Sequence, residues 1–421
     1  MSKLEELIQE LCPNGVEYKK FDNVCQYIRG ITYNKTQEAK MDDVNPWKVM
    51  RANNITLGYN VLNFEDIKLV KRKVKVKKNQ LLQKGDILIC AGSGSKEHIG
   101  KVAYIFNDMD YTFGGFMAVI RCDNELNSRF LFHILTGNSF SIYLGQALNS
   151  TTINNLNAGI MKNFLIPIPP LPVQREIVRI LDNFAELTAE LKEKLTAELT
   201  ARKKQYEYYR ESLLTFRENT NVAKVKLKEI CEIYLGLTAT PNYTDSGVKF
   251  ISAQNISKDF LDLENVKYIS ESDYEKATSN AKPKRGDLLF TRVGSNIGHP
   301  VIVDTDEKLC VFVSLGFLRI KNRNMIIISF LKHWMNTELF WSQVRKNVHG
   351  AAKVNLNTGW LKEFEISLPC LEEQHRIVSI LDRFDTLCND LTSGLPAEIE
   401  ARQKQYEYYR DKLLNFNEKE S

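Results

Sequence analysis

Two segments of the chain have the apolar spacing of a long amphipathic helix. Their apolar residues follow one another at intervals of three and four: Ile177, Ile180, Phe184, Leu187 and Leu191 in the first, and Ile377, Ile380, Phe384, Leu387 and Leu391 in the second. This spacing puts them on one face of a helix, where they can pack against a second long helix. The pattern therefore predicts two helical segments with long partner helices.

The two predicted helical segments differ in continuity. The first continues to Phe216 through residues that favour helix, mainly Ala, Glu, Lys, Leu and Arg. A single helix of about 45 residues would be roughly 65 Å long. In the second segment, Gly394 and Pro396 interrupt the pattern, and this pair ends one helix and begins another. We therefore expect one long helix in the first segment and two shorter helices in the second.

The helical segments are copies of one another. Residues 171–216 and 371–416 align without a gap, and more than half of the aligned positions are identical, including the run Tyr-Glu-Tyr-Tyr-Arg that ends at Arg210 and at Arg410. The segments in front of them correspond more loosely. The order is therefore variable, shared, variable, shared, which is an internal repeat. We place the variable domains at 1–165 and 217–365, the central helix at 166–216 and the C-terminal helices at 366–421.

The variable segments have the short, turn-bounded apolar runs of strands together with helical stretches. Strands are predicted at 61–64, 86–90, 102–106, 117–121, 250–252, 287–291, 301–303 and 317–320, and helices at 129–145 and 328–344. The predicted fold class is mixed α/β (α+β). It consists of two globular domains separated by long antiparallel helices, with an internal pseudo-twofold repeat.

Composition and charge exclude several classes of protein. The chain has 57 Lys and Arg against 52 Asp and Glu, a net charge of +5 that permits a polyanionic partner without requiring one. Its eight cysteines show no C-x-x-C spacing, and no apolar run approaches the roughly 20 residues that span a bilayer. We expect a reduced, cytoplasmic chain with no zinc site and no membrane segment.

Motifs for catalysis are near-misses. The glycines of 87–94 are followed by a predicted strand rather than by the helix that a dinucleotide or S-adenosylmethionine loop needs, and 94–101 lacks the spacing of an ATP-binding loop. The six histidines show no metal-ligand spacing, and no Gly-x-Ser-x-Gly motif is present. The sequence therefore predicts a binding protein with no catalytic residues, no metal and no cofactor of its own.

A dense run of basic residues at 68–78 is the strongest signal for a partner. Alternation with Val74 and Val76 predicts a strand with one cationic face that contacts phosphates, through Lys71, Arg72, Lys73 and Lys75. The alternative is an edge strand that lysines keep soluble.

Polar loop residues recur in both variable domains and could read bases in the major groove. In the first domain they are Arg51, Asn53, Asn54, Ser93, Ser95, Lys96, Thr151, Thr152 and Asn154. In the second they are Gln254, Asn255, Arg292, Ser295, Asn296, His349 and Lys353.

The order of domains and helices resembles that of the DNA-specificity subunit of a type I restriction-modification system. The runs at 168–178 and 371–378 and the paired motifs at 201–210 and 401–410 carry the resemblance. It implies two target-recognition domains, each reading half of a split, asymmetric site on double-stranded DNA, in the cytoplasm of a bacterium or archaeon. It also implies that the shared helices bind two modification subunits, through Gln174, Ile177, Tyr206 and Tyr209 and through Gln374, Ile377, Tyr406 and Tyr409.

The resemblance also implies where the chemistry lies. The modification subunits would carry S-adenosylmethionine and adenine N6-methylation, and restriction subunits would supply ATP-driven translocation and Mg-dependent cleavage. Two alternatives remain open at the level of sequence. A self-contained methyltransferase or nuclease would transfer methyl groups or cut DNA alone, and a coiled-coil adapter would bind protein only.

The central helix is also a candidate spacer, because Leu-Thr-Ala-Glu-Leu occurs at 187–191 and again at 195–199. Inserting four residues between these units adds about 6 Å of helix. We expect it to lengthen the unread spacer of the DNA site by about one or two base pairs, at 3.4 Å each. Mapping N6-methyladenine in DNA from a strain with the insertion measures this, and an unchanged spacer would contradict the hypothesis.

Overall fold

The computed structural model describes residues 2–40, 43–56, 58, 60–149, 155–216, 222–293, 296–347, 355–389 and 394–419. The chain divides into two compact units, one made of Met1–Lys192 with Glu400–Ser421 and the other of Glu193–Ile399. Each unit therefore combines one variable domain with parts of both helical segments.

The first unit begins with helices and strands that alternate along the chain. Its strands are β1 Glu17–Lys20, β2 Cys25–Arg29, β3 Trp47–Met50, β4 Lys68–Val70, β5 Ile87–Cys90, β6 Val102–Tyr104, β7 Tyr111–Phe113, β8 Met117–Cys122 and β9 Leu165–Ile168. Its helices are α1 Lys3–Leu11, α2 Phe21–Val24, α3 Ser128–Leu135, α4 Asn138–Asn149, α5 Ala158–Met161 and the start of α6 Leu171–Leu214.

The second unit repeats this order. Its strands are β10 Ala223–Lys226, β11 Cys231–Leu235, β12 Tyr243–Thr244, β13 Val248–Ile251, β14 Lys267–Ile269, β15 Leu288–Thr291, β16 Pro300–Ile302, β17 Leu309–Val311, β18 Leu315–Ile320 and β19 Glu365–Leu368. Its helices are α7 Leu227–Ile230, α8 Glu271–Ala277, α9 Ile328–Met335, α10 Glu338–Asn347, α11 Thr358–Glu363, α12 Leu371–Asn389 and the first residues of α13 Leu395–Leu413.

The sheets of the two units match in strand order, apart from the additional strand β12 in the second. The first unit has the sheets β2-β8-β5-β6, β4-β3-β7 and β1-β9, and the second has β11-β18-β15-β16, β12-β14-β13-β17 and β10-β19. In both units the mixed sheet contains one parallel pair, β3 with β7 and β13 with β17. The mixed α/β fold class and the internal repeat are thus confirmed.

The central strand β5 contributes side chains to two apolar clusters of the first unit, one on each face of its sheet. Ile87 and Ile89 face a cluster that includes residues of α3, α4 and α6, whereas Leu88 and Cys90 face a second cluster shared with the smaller sheet. Side chains of a strand alternate between faces, so a strand covered on both sides reads as a continuous apolar run. β15 repeats this division in the second unit.

A buried glutamine joins each domain to its helix. The Gln174 side chain is fully buried; its Nε2 donates to the carbonyls of Glu125 and Pro169 at 2.9 and 2.7 Å, and its Oε1 accepts from the N–H of Asn127 at 2.8 Å. Gln374 makes the same three bonds, to Met325, Pro369 and Ile327. These two residues were predicted to bind partner subunits, but this chain itself covers them.

A histidine and an aspartate form a second joint in each unit. His133 on α3 lies 2.8 Å from Asp182 on α6, and His333 on α9 lies 2.7 Å from Asp382 on α12. Burial lowers the pKa of His133, while its hydrogen bond to Asp182 acts in the opposite direction. Because an ionised carboxylate only accepts hydrogen bonds, Nε2 of each histidine is the ring nitrogen that donates to the aspartate.

The predictions for the shared helices are largely confirmed. Helix α6 is continuous over 44 residues, and the second segment is divided, with α12 ending at Asn389 and α13 beginning at Leu395. The apolar face is buried only in part, because Leu187 and Leu191 are 64% and 37% exposed. Leu391 lies outside the described residues.

Several predicted elements of the variable domains are wrong. Residues 61–64 form no strand, since Leu62 makes only an isolated bridge to Ile55 and the Asn63 side chain bonds to the chain around it. The predicted helices at 129–145 and 328–344 are each two helices, broken after Leu135 and Met335. At these breaks the hydroxyls of Thr136 and Thr337 donate to backbone carbonyls, which competes with helix continuation.

The predicted cationic strand at 68–78 is also wrong beyond Val70. The chain turns there, with the N–H of Val74 donating to the carbonyl of Lys71 at 3.0 Å. The Trp47 indole then donates to the carbonyl of Val74 at 3.1 Å, and Val74 is buried. Burial of one valine against a neighbouring strand ends the alternation.

Removing the buried amides tests the joint between domain and helix. We expect Gln174→Ala and Gln374→Ala each to lower the free energy of unfolding by about 2–4 kcal/mol, because buried backbone groups lose their partners. Urea unfolding followed by circular dichroism measures this. Gln9→Ala, at an exposed position of α1, is the control and should change little. Equal stability of all three variants would contradict the assignment.

Candidate nucleic-acid interface

The turn after β3 carries three of the residues predicted to read DNA. Asn54 is fully buried; its Oδ1 accepts from the N–H of Arg51 at 2.8 Å, and its Nδ2 donates to the carbonyls of Asn63 and Asp66. Arg51 and Asn53 instead point their side chains at the Asp66 carboxylate, at 2.6 and 2.9 Å. Asn54 therefore holds the loop, and Arg51 and Asn53 form its polar surface.

The turn after β13 repeats this arrangement in the second unit. Asn255 is buried, accepts from the N–H of Ser252 at 3.0 Å and donates to the carbonyls of Asp262 and Asn265. Gln254 lines an adjacent pocket of about 350 Å³. Asn255 corresponds to Asn54, and the two asparagines have the same structural role.

The basic residues after β4 differ in how their side chains are placed. Lys71 donates to the carbonyl of Thr36 at 3.0 Å, and the Arg72 guanidinium lies over the Trp47 ring at 3.3 Å. Lys73 and Lys75 are exposed. Stacking on the ring fixes the orientation of the Arg72 guanidinium. The surface thus presents several cations although it is not a strand.

Arg292 has a structural role in the second unit. It is 8% exposed, its Nη1 donates to the carbonyl of Val313 at 3.0 Å and its Nε lies 3.4 Å from the carbonyl of Leu356. Burial lowers its pKa. In the first unit Arg29 makes matching bonds to the carbonyls of Gly115 and Leu156 from another strand. Because Arg29 and Arg292 lie at different positions of the repeat, alignment of the two halves does not reveal that they make the same bonds.

The remaining predicted DNA contacts are scattered or undescribed. Ser93 accepts from the N–H of Ser95 at 3.3 Å, and Asn296 is exposed. Lys96 begins a short 3₁₀ turn. The other residues predicted to contact DNA lie outside the described residues: Thr151, Thr152, Asn154, Ser295, His349 and Lys353.

The repeated helices present aromatic rings in matching order. In the first unit Phe184 contacts Tyr406 and Tyr409, both at 5.7 Å between ring centroids; in the second, Phe384 contacts Tyr206 and Tyr209, at 6.2 and 5.5 Å. Ile177 and Ile377 are fully buried and Tyr206 is 7% exposed. Burial raises the pKa of Tyr206, whose hydroxyl lies 3.2 Å from His333 Nδ1. These three residues, which were predicted to contact partner subunits, are therefore covered by the chain itself.

Two tyrosines that sequence reasoning missed lie on the exposed side of the same motif. Tyr208 is 68% exposed and Tyr408 is 62% exposed, while their neighbours Tyr209 and Tyr409 are 37% and 42% exposed. Each exposed ring contacts its neighbour edge-on. Their place opposite the apolar face of the helix could have identified them.

Other kinds of site were sought among the described residues. No group of three His, Cys, Asp or Glu side chains there is arranged to hold a metal ion. Within the same ranges, no helix combines the length and the apolar character needed to cross a membrane.

Comparison with known proteins identifies the family. The model of the type I restriction modification DNA specificity domain matches residues 13–201 and again 219–401. A putative type I restriction enzyme specificity subunit of Haemophilus influenzae is 37% identical over 71% of this chain and 75% of its own length. The EcoR124I/EcoR124II specificity subunit of Escherichia coli is 35% identical over 62% of this chain and 65% of its own length.

Solved structures agree on the fold. A chain from a study of complex assembly and conformational transition of the type I R-M system matches with a TM-score of 0.69 at 17% identity, over 96% of this chain and 98% of that one. The HsdS subunit of Thermoanaerobacter tengcongensis matches with a TM-score of 0.56 at 18% identity, over 96% and 97%. The family model and the two relatives show that the chain belongs to the type I restriction-modification DNA specificity family, as a specificity subunit, which is a non-catalytic role.

Proposed function

We propose that each unit of this chain reads one half of a split, asymmetric site on duplex DNA. The observation that carries the proposal is the repeated turn held by Asn54 and by Asn255, which presents different polar side chains on the same scaffold. A protein that reads two unrelated half-sites needs such a pair of like frames with unlike surfaces. The cations near β4 would contact phosphates and position the first unit on the duplex.

We further propose that the repeated helices bind two modification subunits. The support is the duplicated aromatic motif, in which Tyr208 and Tyr408 are exposed beside Tyr209 and Tyr409. Tyrosines in the centre of an interface supply a large part of its binding energy. The same surface present twice suits two copies of one partner.

The chemistry would then belong to other subunits. The modification subunits would hold S-adenosylmethionine and methylate adenine N6, and restriction subunits, attached through them, would supply ATP- and Mg-dependent translocation and cleavage. The assembly would work in the bacterial or archaeal cytoplasm, where its DNA lies. This chain would contribute the choice of site and the docking surface.

Neutralising the exposed cations tests the phosphate contacts. We expect Lys73→Gln with Lys75→Gln to weaken binding to all duplexes and to reduce the salt slope by about 0.9 for each lost contact. Fluorescence anisotropy at several salt concentrations measures both, with modification subunits present and with specific and unrelated duplexes. The control, Lys20→Gln with Lys162→Gln, removes two exposed charges at the helix-proximal end of the first unit. An unchanged slope in the Lys73 and Lys75 variant would place this surface away from DNA.

Truncating the exposed tyrosines tests the docking surface. Tyr208→Ala and Tyr408→Ala should each weaken one of two binding events by about tenfold or more, as expected for interface tyrosines. Native mass spectrometry of titrations with modification subunit gives the stoichiometry, and calorimetry gives the affinities. Phe260→Ala, which truncates another exposed ring, serves as the control. If the double tyrosine variant bound two subunits with unchanged affinity, docking would lie elsewhere.

A further inference from the structure

The two units carry the same turn with different chemistry at its surface. Asn54 bonds to the carbonyl of Asp66 and Asn255 bonds to the carbonyl of Asn265, so Asp66 and Asn265 occupy corresponding positions. When the two buried asparagines are aligned, Arg51 corresponds to Ser252, three residues before each asparagine, and Asn53 corresponds to Gln254, one residue before it. The bonds made by the buried asparagine are thus the same in the two turns, whereas the side chains exposed on the turns differ.

In the first unit an ion pair fills this position. The Asp66 carboxylate receives Arg51 Nη2 at 2.6 Å and Asn53 Nδ2 at 2.9 Å, and the Arg51 and Asp66 side chains are 36% and 71% exposed. The Asp66 carboxylate thus holds the Arg51 guanidinium at the surface through one terminal nitrogen, Nη2. A planar arginine held in this way matches the O6 and N7 acceptors of guanine.

In the second unit the same position is an open pocket. With Ser252 and Asn265 in place of Arg51 and Asp66, a space of about 350 Å³ remains. Its walls combine the rings of Tyr243, Phe250 and Phe312 with the amide of Gln254. Lys267 lies at the edge, with its Nζ 4.1 Å from the centroid of the Tyr243 ring. An amide beside an apolar wall suits an adenine·thymine pair, since Gln pairs with adenine N6 and N7 and apolar groups contact the thymine methyl.

We propose that these two corresponding turns are the base-reading positions of the two units. Arg51 reads a guanine in the first half-site with Asp66 as its positioning residue, and Gln254 reads an adenine in the second, with the aromatic wall against the thymine methyl. The proposal rests on the proposed function. It goes beyond it by assigning Asn54 and Asn255 to the scaffold and one base class to each unit.

The basic residues around the two turns support a DNA-binding role over a small-molecule site. In the first unit Lys48 lies on the strand that leads into the turn and Lys71 and Arg72 follow the paired strand β4; in the second, Lys267 and Lys258 flank the pocket and its loop. Cations on both sides of a base-reading group hold a duplex in register.

Methylation mapping with the complete complex tests the proposal, because it reports base choice at each position of both half-sites. Arg51→Ala should reduce discrimination at one guanine of the first half-site by about tenfold or more, and Gln254→Ala should do the same at one adenine of the second. Each variant is the matched control for the other, since the opposite half-site should keep its base preferences. Circular dichroism checks that both fold.

Asp66 separates a positioning role from a merely structural one. Asp66→Asn should relax the same guanine as Arg51→Ala, whereas Asp66→Glu should restore the preference for guanine. A structural defect would instead lower methylation of all sites alike and would not be repaired by glutamate.

The outcomes distinguish this inference from the function on which it rests. If the unaltered complex methylates no split site, the proposed function fails. If it does, but Arg51→Ala and Gln254→Ala leave both half-sites unchanged or lower methylation with no change of base choice, the inference alone is overturned. It is also overturned if the relaxed positions are not a guanine and an adenine, respectively.

Discussion

The fold of each unit depends on a buried amide that must be satisfied from three sides. Gln174 and Gln374 each bond one N–H and two carbonyls with no exposure to solvent. An unpaired buried polar group costs more than a paired one returns, so such a contact tolerates little displacement. Each domain is therefore held to its own part of the repeated helices at a defined place, and the His–Asp pairs at 2.8 and 2.7 Å reinforce it.

Features fixed by local sequence could be predicted, and those fixed by distant contacts could not. The continuity of α6 and the interruption before α13 follow from helix-favouring residues and from one Gly and Pro pair, which act within a turn. The end of the strand at Val70 depends on Trp47, which lies 27 residues from the Val74 carbonyl that it binds. The breaks after Leu135 and Met335 are different, because they involve threonine hydroxyls that donate to carbonyls only three residues earlier, a local bond that apolar spacing does not reveal. Periodicity alone does not contain this information.

The candidate site shows the same division more sharply. Sequence analysis selected the correct turns, since polar residues after a strand mark a surface loop, but it did not separate Asn53 from Asn54. Asn53 and Asn54 are chemically identical, but Asn53 is exposed and Asn54 is buried. They differ because the Asn54 side chain faces Asn63 and Asp66, which lie nine and twelve residues further along the chain. The QYEYYR motif likewise contains both a buried ring, Tyr206, and an exposed one, Tyr208. Which of these tyrosines faces solvent depends on the part of the same chain that packs against the helix, here His333 and Phe384 against Tyr206.

This separation of scaffold from surface has a consequence for how specificity can change. Asn54 and Asn255 hold their turns through backbone carbonyls, which every residue carries, so the residues at positions 51, 53 and 66 can be exchanged without removing the bonds that form the loop. The second unit illustrates the point, because Ser252, Gln254 and Asn265 occupy the corresponding positions on an unchanged frame. The ion pair of Arg51 and Asp66 lies at the surface, where such pairs contribute little to stability. Its exchange for neutral residues therefore alters what the turn can bind far more than it alters folding.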